Sequence, residues 1–297
     1  MNSKQFKSSL CLLLAAAIWG FAFVAQRVAV RSIGPFSLNG IRFAIGALSL
    51  LPVLAVFRDP RRTKADNRSE TMASLKAGIV CGLILFAAAS LQQVGLIGTA
   101  AGKSAFITGL YIVMVPIFGL LLGRRIGSNV WLGAVCALAG LFFLCVTEAF
   151  TIAGSDLLIL GCAFFYTLHI LVIDSCIARV NGLKLALFQF VTSSVLSFAV
   201  ALPTETLTLA GIGDAIVPLL YVGIASTGVA YTLQIIGQKE ADPASAAIIL
   251  SAETLFAMLG GFLLLHERLG LRGLAGAALM LGGIVLTQLP ARKKSGN

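Results

Sequence analysis

Glu253 is the residue whose type and position point most directly to chemistry. It stands near the middle of residues 243–265, a stretch of apolar residues long enough to cross a bilayer as a helix. A carboxylate at that depth is costly, so it is expected to face a bundle interior or a wet cavity. There it could exchange protons and couple proton movement to the passage of a substrate. The alternative is a permanent hydrogen bond to a neighbouring helix, which would only stabilise packing.

Two further ionisable side chains stand well inside apolar stretches. His169 could bind a substrate or relay protons, or it could be a neutral histidine with one interhelical hydrogen bond. Arg42 has no acid at helical spacing and could hold a substrate carboxylate through two hydrogen bonds, or it could extend toward the interface. Asp174 lies nearer the end of its stretch and is expected to reach interfacial water or Arg179.

Amide side chains occur in four of the apolar stretches. In lipid they need hydrogen-bond partners, so bonding between helices is the default expectation for Gln92, Gln93, Gln189 and Gln234. Gln92 and Gln234 are the better candidates for a substrate site, because they occupy equivalent positions in the internal repeat described below.

Aromatic residues stand near the middles of several apolar stretches, although Trp and Tyr usually concentrate at the membrane interfaces. These residues are Trp19, Tyr111, Phe165, Tyr166 and Tyr231. Singly, each is more often a packing residue. Together they favour a cavity with apolar walls and a few polar groups, which is the usual composition of a small-molecule site.

No motif indicates a metal, a cofactor or an enzymatic reaction. The six cysteines all fall within apolar stretches and lack metal-ligand spacing, so small buried side chains are expected. The chain has no P-loop, HExxH or GxSxG sequence, so neither ATP-driven pumping nor hydrolysis has a motif to support it.

The composition is that of an integral membrane protein. Of the 297 residues, 58% are hydrophobic and 11% are charged, and the mean hydropathy is +0.98. The net charge of +10 comes from basic residues in short loops between the apolar stretches. This distribution indicates a lipid bilayer as the partner and argues against nucleic acid.

Apolar stretches separated by breakers predict ten transmembrane spans. They are residues 8–30, 36–57, 72–95, 101–122, 128–147, 155–178, 184–203, 214–236, 243–265 and 272–289. Most Lys and Arg residues fall on the side of the N-terminus, which predicts that both termini are cytoplasmic in a multi-pass protein of the plasma (bacterial inner) membrane. The longest connection is 58–70, so no soluble domain is inserted.

The chain contains an internal repeat. When residues from 101 onward are aligned with residues from 243 onward, Gly133 falls on Gly276 and Gly140 on Gly283. Earlier spans match as well: Arg42 in span two falls on Gln189 in span seven, and Gln92 in span three falls on Gln234 in span eight. Trp19 and Phe165 take similar places in spans one and six. The prediction is an all-α integral membrane protein with ten transmembrane helices in two five-helix repeats, residues 1–150 and 151–297. Because five is odd, the second repeat must be inverted, which is a transporter architecture.

Several segments resemble the EamA family of the drug/metabolite transporter superfamily. They are LLLAAAIWGFAFVAQRVAV, IRF in span two, YVGIASTGVAYTLQIIGQKEADPASAAIILSAETLFAMLGGFLLLHERLG and LAGAALMLGGIVL. The resemblance implies a central cavity lined by spans one to four and six to nine, with spans five and ten peripheral. Two residues depart from the family pattern. Thr254 replaces a common proline, which removes an expected kink, and Arg124 replaces a common acid and could alter gating.

These observations predict a secondary active transporter that works by alternating access and exports small metabolites such as amino acids, with proton coupling through Glu253. The predicted substrate-binding residues are Trp19, Arg42, Gln92, Tyr111, Phe165, His169, Tyr231, Gln234 and Glu253. Within transport, the alternative is an uncoupled facilitator or an importer. From other classes, the alternatives are a membrane-embedded lipid-processing enzyme and a non-transporting receptor or scaffold. A monomer and a homodimer both remain open.

Overall fold

A computed structural model describes residues 3–30, 32–56, 64–99, 101–145, 153–265 and 270–289, and in these ranges the chain is helical without strands. The helices are α1 Ser3–Ala29, α2 Pro35–Val56, α3 Lys64–Gly98, α4 Ala101–Gly109, α5 Tyr111–Leu121, α6 Ser128–Cys145, α7 Gly154–Cys176, α8 Gly182–Thr204, α9 Leu209–Asp214, α10 Ile216–Leu220, α11 Tyr231–Gln238, α12 Pro243–Leu250, α13 Glu253–Leu265 and α14 Leu271–Gln288. A 3-10 turn, Ile177–Arg179, follows α7, and a π-helix, Tyr221–Ala230, joins α10 to α11. The predicted loop 58–70 is described only from residue 64.

The helices fall at the ten predicted spans, and the prediction of an all-helical membrane protein is confirmed. In the described ranges nine segments are long and apolar enough to cross a bilayer, and the shorter apolar segment Ser128–Leu144 occupies the position of span five. Large apolar side chains face outward, as Leu121 and Leu202 do with exposed fractions of 77% and 75%. Such a surface is stable against acyl chains rather than against water.

The packing of the spans follows a simple rule. Between the two halves, the most extensive contacts join span two to seven and eight, span three to six and seven, span one to eight and nine, span four to six and nine, and span five to ten. This set of pairs is unchanged when each span is exchanged for the span five places along the chain. The two halves of the chain therefore interlock through equivalent surfaces.

Spans five and ten pack closely on each other through glycines. A Cβ atom on Gly140 would lie 2.6 Å from the carbonyl oxygen of Gly276, and one on Gly283 would lie 2.6 Å from that of Gly133. These two contacts run in opposite order along the two helices, so the helices are antiparallel. Only glycine allows the two backbones to approach this closely.

Spans four and nine are each broken in the middle, at positions that align in the sequence. The first break lies at Leu110, between α4 and α5, and the second lies at Ser251 and Ala252, between α12 and α13. In both, the backbone tightens: Leu110 N–H donates to the Ile107 carbonyl and Ala252 N–H to the Ile249 carbonyl. Broken helices of this kind are typical of transporters.

The expectation that Thr254 removes a kink from span nine is wrong, because the helix is interrupted without a proline. The Ser251 hydroxyl donates to the Ile248 carbonyl and the Thr254 hydroxyl donates to the Ser251 carbonyl, each at 2.6 Å. Side-chain hydroxyls that bond carbonyls of the preceding turn compete with the backbone donors and bend helices. Two hydroxyl groups therefore stabilise the break that a proline would cause.

Candidate substrate-binding cavity

A cavity lies between the two halves of the chain, next to both broken helices. Its volume is about 50 Å³. The lining residues are Trp19, Phe23, Gln26, Arg42, Gln92, Tyr111, Tyr166, Ile170, Ser226, Tyr231, Gln234, Leu250 and Glu253. A volume of about 50 Å³ corresponds to about three to five water molecules, so the cavity in this conformation suits a small metabolite.

Glu253 and Tyr111 meet in the wall of this cavity. Each is the first residue of a half-helix, Glu253 of α13 and Tyr111 of α5, and the tyrosine hydroxyl donates to the Glu253 carboxylate at 3.2 Å. The amino ends of helices carry partial positive charge, which stabilises a nearby carboxylate. The two positions also align with each other in the sequence repeat. The acid thus lies where the two halves of the chain meet.

Arg42 is almost completely buried, with an exposed fraction of 2%. Its Nη1 donates to the side-chain oxygen of Gln26 at 3.0 Å, and Gln93 donates to that same oxygen. Arg42 Nε and Nη2 have no hydrogen-bond partner. In the described part of the chain, no carboxylate forms an ion pair with this guanidinium.

Aromatic side chains form much of the cavity wall. The Trp19 indole N–H donates to the Ser226 carbonyl at 3.0 Å, and the Trp19 and Tyr231 rings meet edge to face with centroids 4.7 Å apart. Ser226 belongs to the π-helix of span eight, where the wide turn changes the backbone bonding pattern. The Tyr166 hydroxyl donates to the Gln92 side-chain oxygen at 3.3 Å. These contacts connect spans one, three, six and eight.

Two of the residues predicted from sequence do not line the cavity. His169 is fully buried behind the wall, where its Nε2 pairs with the Gln189 side-chain oxygen at 3.0 Å. This is the interhelical bond that was the alternative interpretation of His169. Phe165 packs on Phe164, with ring centroids 5.5 Å apart, while its neighbour Tyr166 faces the cavity. The other seven predicted residues are brought together at the cavity.

Sequence reasoning missed five lining residues: Phe23, Gln26, Ile170, Ser226 and Leu250. Phe23 and Gln26 follow Trp19 at intervals of four and three residues, so the three share one helix face. That spacing was the available signal. Span seven was expected to line the cavity, but none of its residues does, and its Gln189 bonds to span six.

Polar contacts close the bundle at the end where spans four, six and eight finish. Arg124 Nη1 lies 2.5 Å from Asp174 Oδ2 as an ion pair, and the Gln238 amide donates to the Ile170 carbonyl at 3.0 Å. Asp174 therefore pairs with Arg124, from the loop after span four, and not with Arg179, which was the expected charged partner.

Comparisons with known proteins agree with this architecture. A sequence model of the EamA-like transporter family matches residues 6–146 and again residues 154–289. A protein described as an uncharacterized transporter of Archaeoglobus fulgidus is 31% identical over 287 residues, covering 96% of this chain and 87% of the relative. The uncharacterized transporter YoaV of Bacillus subtilis is 25% identical over 307 residues, covering 94% and 96%. One solved structure, described as a crystal structure of a protein, shares the fold with a TM-score of 0.80 at 19% identity, over 97% of this chain and 99% of that one.

Proposed function

We propose that this chain, which belongs to the EamA-like transporter family, is a secondary active transporter that exports small metabolites such as amino acids. One observation carries the proposal. Arg42 and Glu253 line the same small cavity but are not paired with each other, since Arg42 bonds to Gln26 and Glu253 to Tyr111. The arginine charge and the acid thus both lie at the cavity without neutralising each other.

A zwitterionic substrate complements these two groups. Its carboxylate can accept from the unpartnered Nε and Nη2 of Arg42, which form the side edge of the guanidinium. Its ammonium group can donate to the Glu253 carboxylate. Buried donors without partners are unfavourable, so a ligand that satisfies them gains affinity over one that cannot.

Proton coupling follows from the same acid. A proton and the ammonium group of the substrate would compete for Glu253, so binding of one favours release of the other. Exchange of a proton entering the cell for a substrate leaving it is the expected result. The resident Tyr111 hydroxyl offers the carboxylate a hydrogen bond during the exchange.

Alternating access is proposed to arise from two inverted repeats, residues 1–150 and 151–297. Two observations support this interpretation. The pairs of packed spans stay the same when each span is exchanged for its counterpart in the other half, and spans four and nine are broken at equivalent positions. The aligned residues Phe43 and Phe190 also stack on each other, with centroids 6.2 Å apart, as residues near a two-fold axis would. The excess of basic residues on the side of the N-terminus supports the proposal that both termini lie in the cytoplasm and that the protein lies in the plasma membrane. The contacts between Arg124 and Asp174 and between Gln238 and Ile170 would then close the cytoplasmic end of the bundle.

Efflux from proteoliposomes tests the proposal. Vesicles containing the purified protein are loaded with radiolabelled L-alanine, propionate or ethylamine, which respectively carry both charged groups, only the carboxylate and only the ammonium. L-Alanine should leave faster than from protein-free vesicles, and acidifying the outside should accelerate its efflux. Propionate and ethylamine should leave more slowly through the protein. Equal rates with and without protein for all three probes would contradict the proposed substrate class.

Glu253→Gln tests the role of the acid. The variant should lose the acceleration by external acid, because an amide cannot exchange protons, while the exchange of internal for external L-alanine persists. A variant that keeps full acid-driven efflux would contradict coupling at Glu253 and favour an uncoupled facilitator. Tyr111→Phe keeps the carboxylate and is the matched control, so its efflux should remain acid-driven.

A further inference from the structure

The buried guanidinium of Arg42 has an unusual hydrogen-bond partner for a charged group. A guanidinium buried to this extent generally has a carboxylate beside it, because an isolated buried charge is costly. In the described residues, the partner within hydrogen-bond distance is the neutral amide of Gln26. Position 26 thus orients the guanidinium without neutralising it.

The oxygen of Gln26 is fully used. An amide oxygen has two lone pairs, and it accepts here from Arg42 Nη1 and from Gln93 Nε2. The three residues come from spans one, two and three, so this single oxygen links three helices. With Nη1 held in this way, Nε and Nη2 remain without partners, and they are the pair of donors that matches a carboxylate.

We infer that Gln26 is a positioning residue that makes the transporter depend on a carboxylate in its substrate, because its neutral amide holds Arg42 in place and leaves the arginine charge uncompensated. The inference rests on the proposed function, since it concerns the same cavity. Gln26 is 6% exposed and lines the cavity on the face of α1 that also carries Trp19 and Phe23.

Gln26→Glu and Gln26→Met separate charge from packing. The glutamate variant keeps the size and an acceptor oxygen but adds a counter-ion for Arg42, whereas the methionine variant keeps the approximate size and loses the acceptor. If Gln26 acted only through packing and its hydrogen bond, the glutamate variant would resemble the wild type and the methionine variant would be impaired. The inference instead requires that Gln26→Glu binds L-alanine more weakly than Gln26→Met does.

Binding can be followed through Trp19 fluorescence in a Trp131→Phe background, since these are the two tryptophans of the chain and only Trp19 lines the cavity. We expect Gln26→Glu to weaken L-alanine binding by at least about tenfold, and by more than Gln26→Met does. Ethylamine, which lacks the carboxylate, should bind the glutamate variant and the wild type alike. Equal weakening for both probes, or unchanged binding of L-alanine, would overturn the inference.

Thermal unfolding provides a second readout that needs no substrate. The internal ion pair should raise the melting temperature of Gln26→Glu above that of the wild type, and the gain should vanish when Arg42→Gln is added. No gain in the single variant would mean that the arginine charge is already compensated, which would overturn the inference. If the wild type does not bind L-alanine, but Gln26→Glu raises the melting temperature and Arg42→Gln removes that gain, only the proposed substrate class is contradicted.

Discussion

Arg42 and Gln189 occupy matching positions in the two halves of the chain but have different surroundings. Arg42 lines the cavity with two donors unpartnered, whereas Gln189 is fully buried outside the cavity wall and bonds to His169. Trp19 and Phe165 differ in the same way, because only the tryptophan lines the cavity. The packing of the helices is repeated in the two halves, but the chemistry of the cavity is not.

This difference has a physical reason if the substrate is a zwitterion. Two identical half-sites would present two like groups to the ligand, and a molecule with one carboxylate and one ammonium would satisfy only one of them. At the aligned positions Tyr111 and Glu253, one half supplies a hydroxyl and the other an acid. A symmetric scaffold with unequal polar groups can therefore bind an asymmetric ligand in one orientation.

Arg42→Gln makes the first half match the second and should have the largest effect. Loss of hydrogen bonds to a charged group amounts to about 1.5–3 kcal/mol, so L-alanine binding should weaken by about 10- to 150-fold. Trp19 fluorescence in the Trp131→Phe background measures this affinity.

Gln189→Met is the matched control. It should leave binding unchanged but lower stability by about 1–3 kcal/mol, because His169 loses its partner. Weaker binding in the control would place Gln189 in the site as well.

Gly140→Ala and Gly283→Ala test whether the scaffolds of the two halves are equivalent. The added methyl group would meet a carbonyl oxygen of the opposite helix at 2.6 Å in both cases. Each variant should lose about 1–3 kcal/mol of stability from overpacking, and the two losses should be similar. Melting in detergent measures this loss, with Gly282→Ala as control because a Cβ there has no neighbour within 4 Å. A large difference between the two variants would contradict equivalent packing.

Trp19→Phe gives span one the residue that span six has and should have the smallest effect. The variant loses the indole bond to the Ser226 carbonyl, a neutral hydrogen bond of about 0.5–1.5 kcal/mol that holds the cavity wall and not the substrate. L-Alanine affinity should therefore fall by less than about tenfold. Equilibrium binding of radiolabelled L-alanine measures this change, since the fluorescent reporter is removed. Phe165→Leu should leave the affinity unchanged. An equal loss in both variants would show that Phe165 matters as much as Trp19.

Much of the fold could be predicted because a bilayer leaves few options for a polypeptide backbone. Apolar length alone indicated the ten spans, and the matching glycines of spans five and ten indicated that these spans are equivalent. The cavity could be predicted only in part. Phe165 and Tyr166 are neighbours with similar rings, and no local pattern tells which of them faces the interior. Gln26 resembles any other amide in a helix until its two donors, from spans two and three, are known.

The sequence by itself determined that this chain is a helical membrane protein with ten apolar stretches and an internal repeat, since both properties depend on the order of apolar and small residues along the chain. Only the tertiary structure decided which polar groups meet. Glu253 and Tyr111 lie 142 positions apart in the chain, and their contact exists because spans four and nine are both interrupted beside the same cavity. In a low-dielectric interior an unpaired polar group is costly, so each such pairing affects stability. Local sequence patterns do not indicate partners that are so distant in the chain.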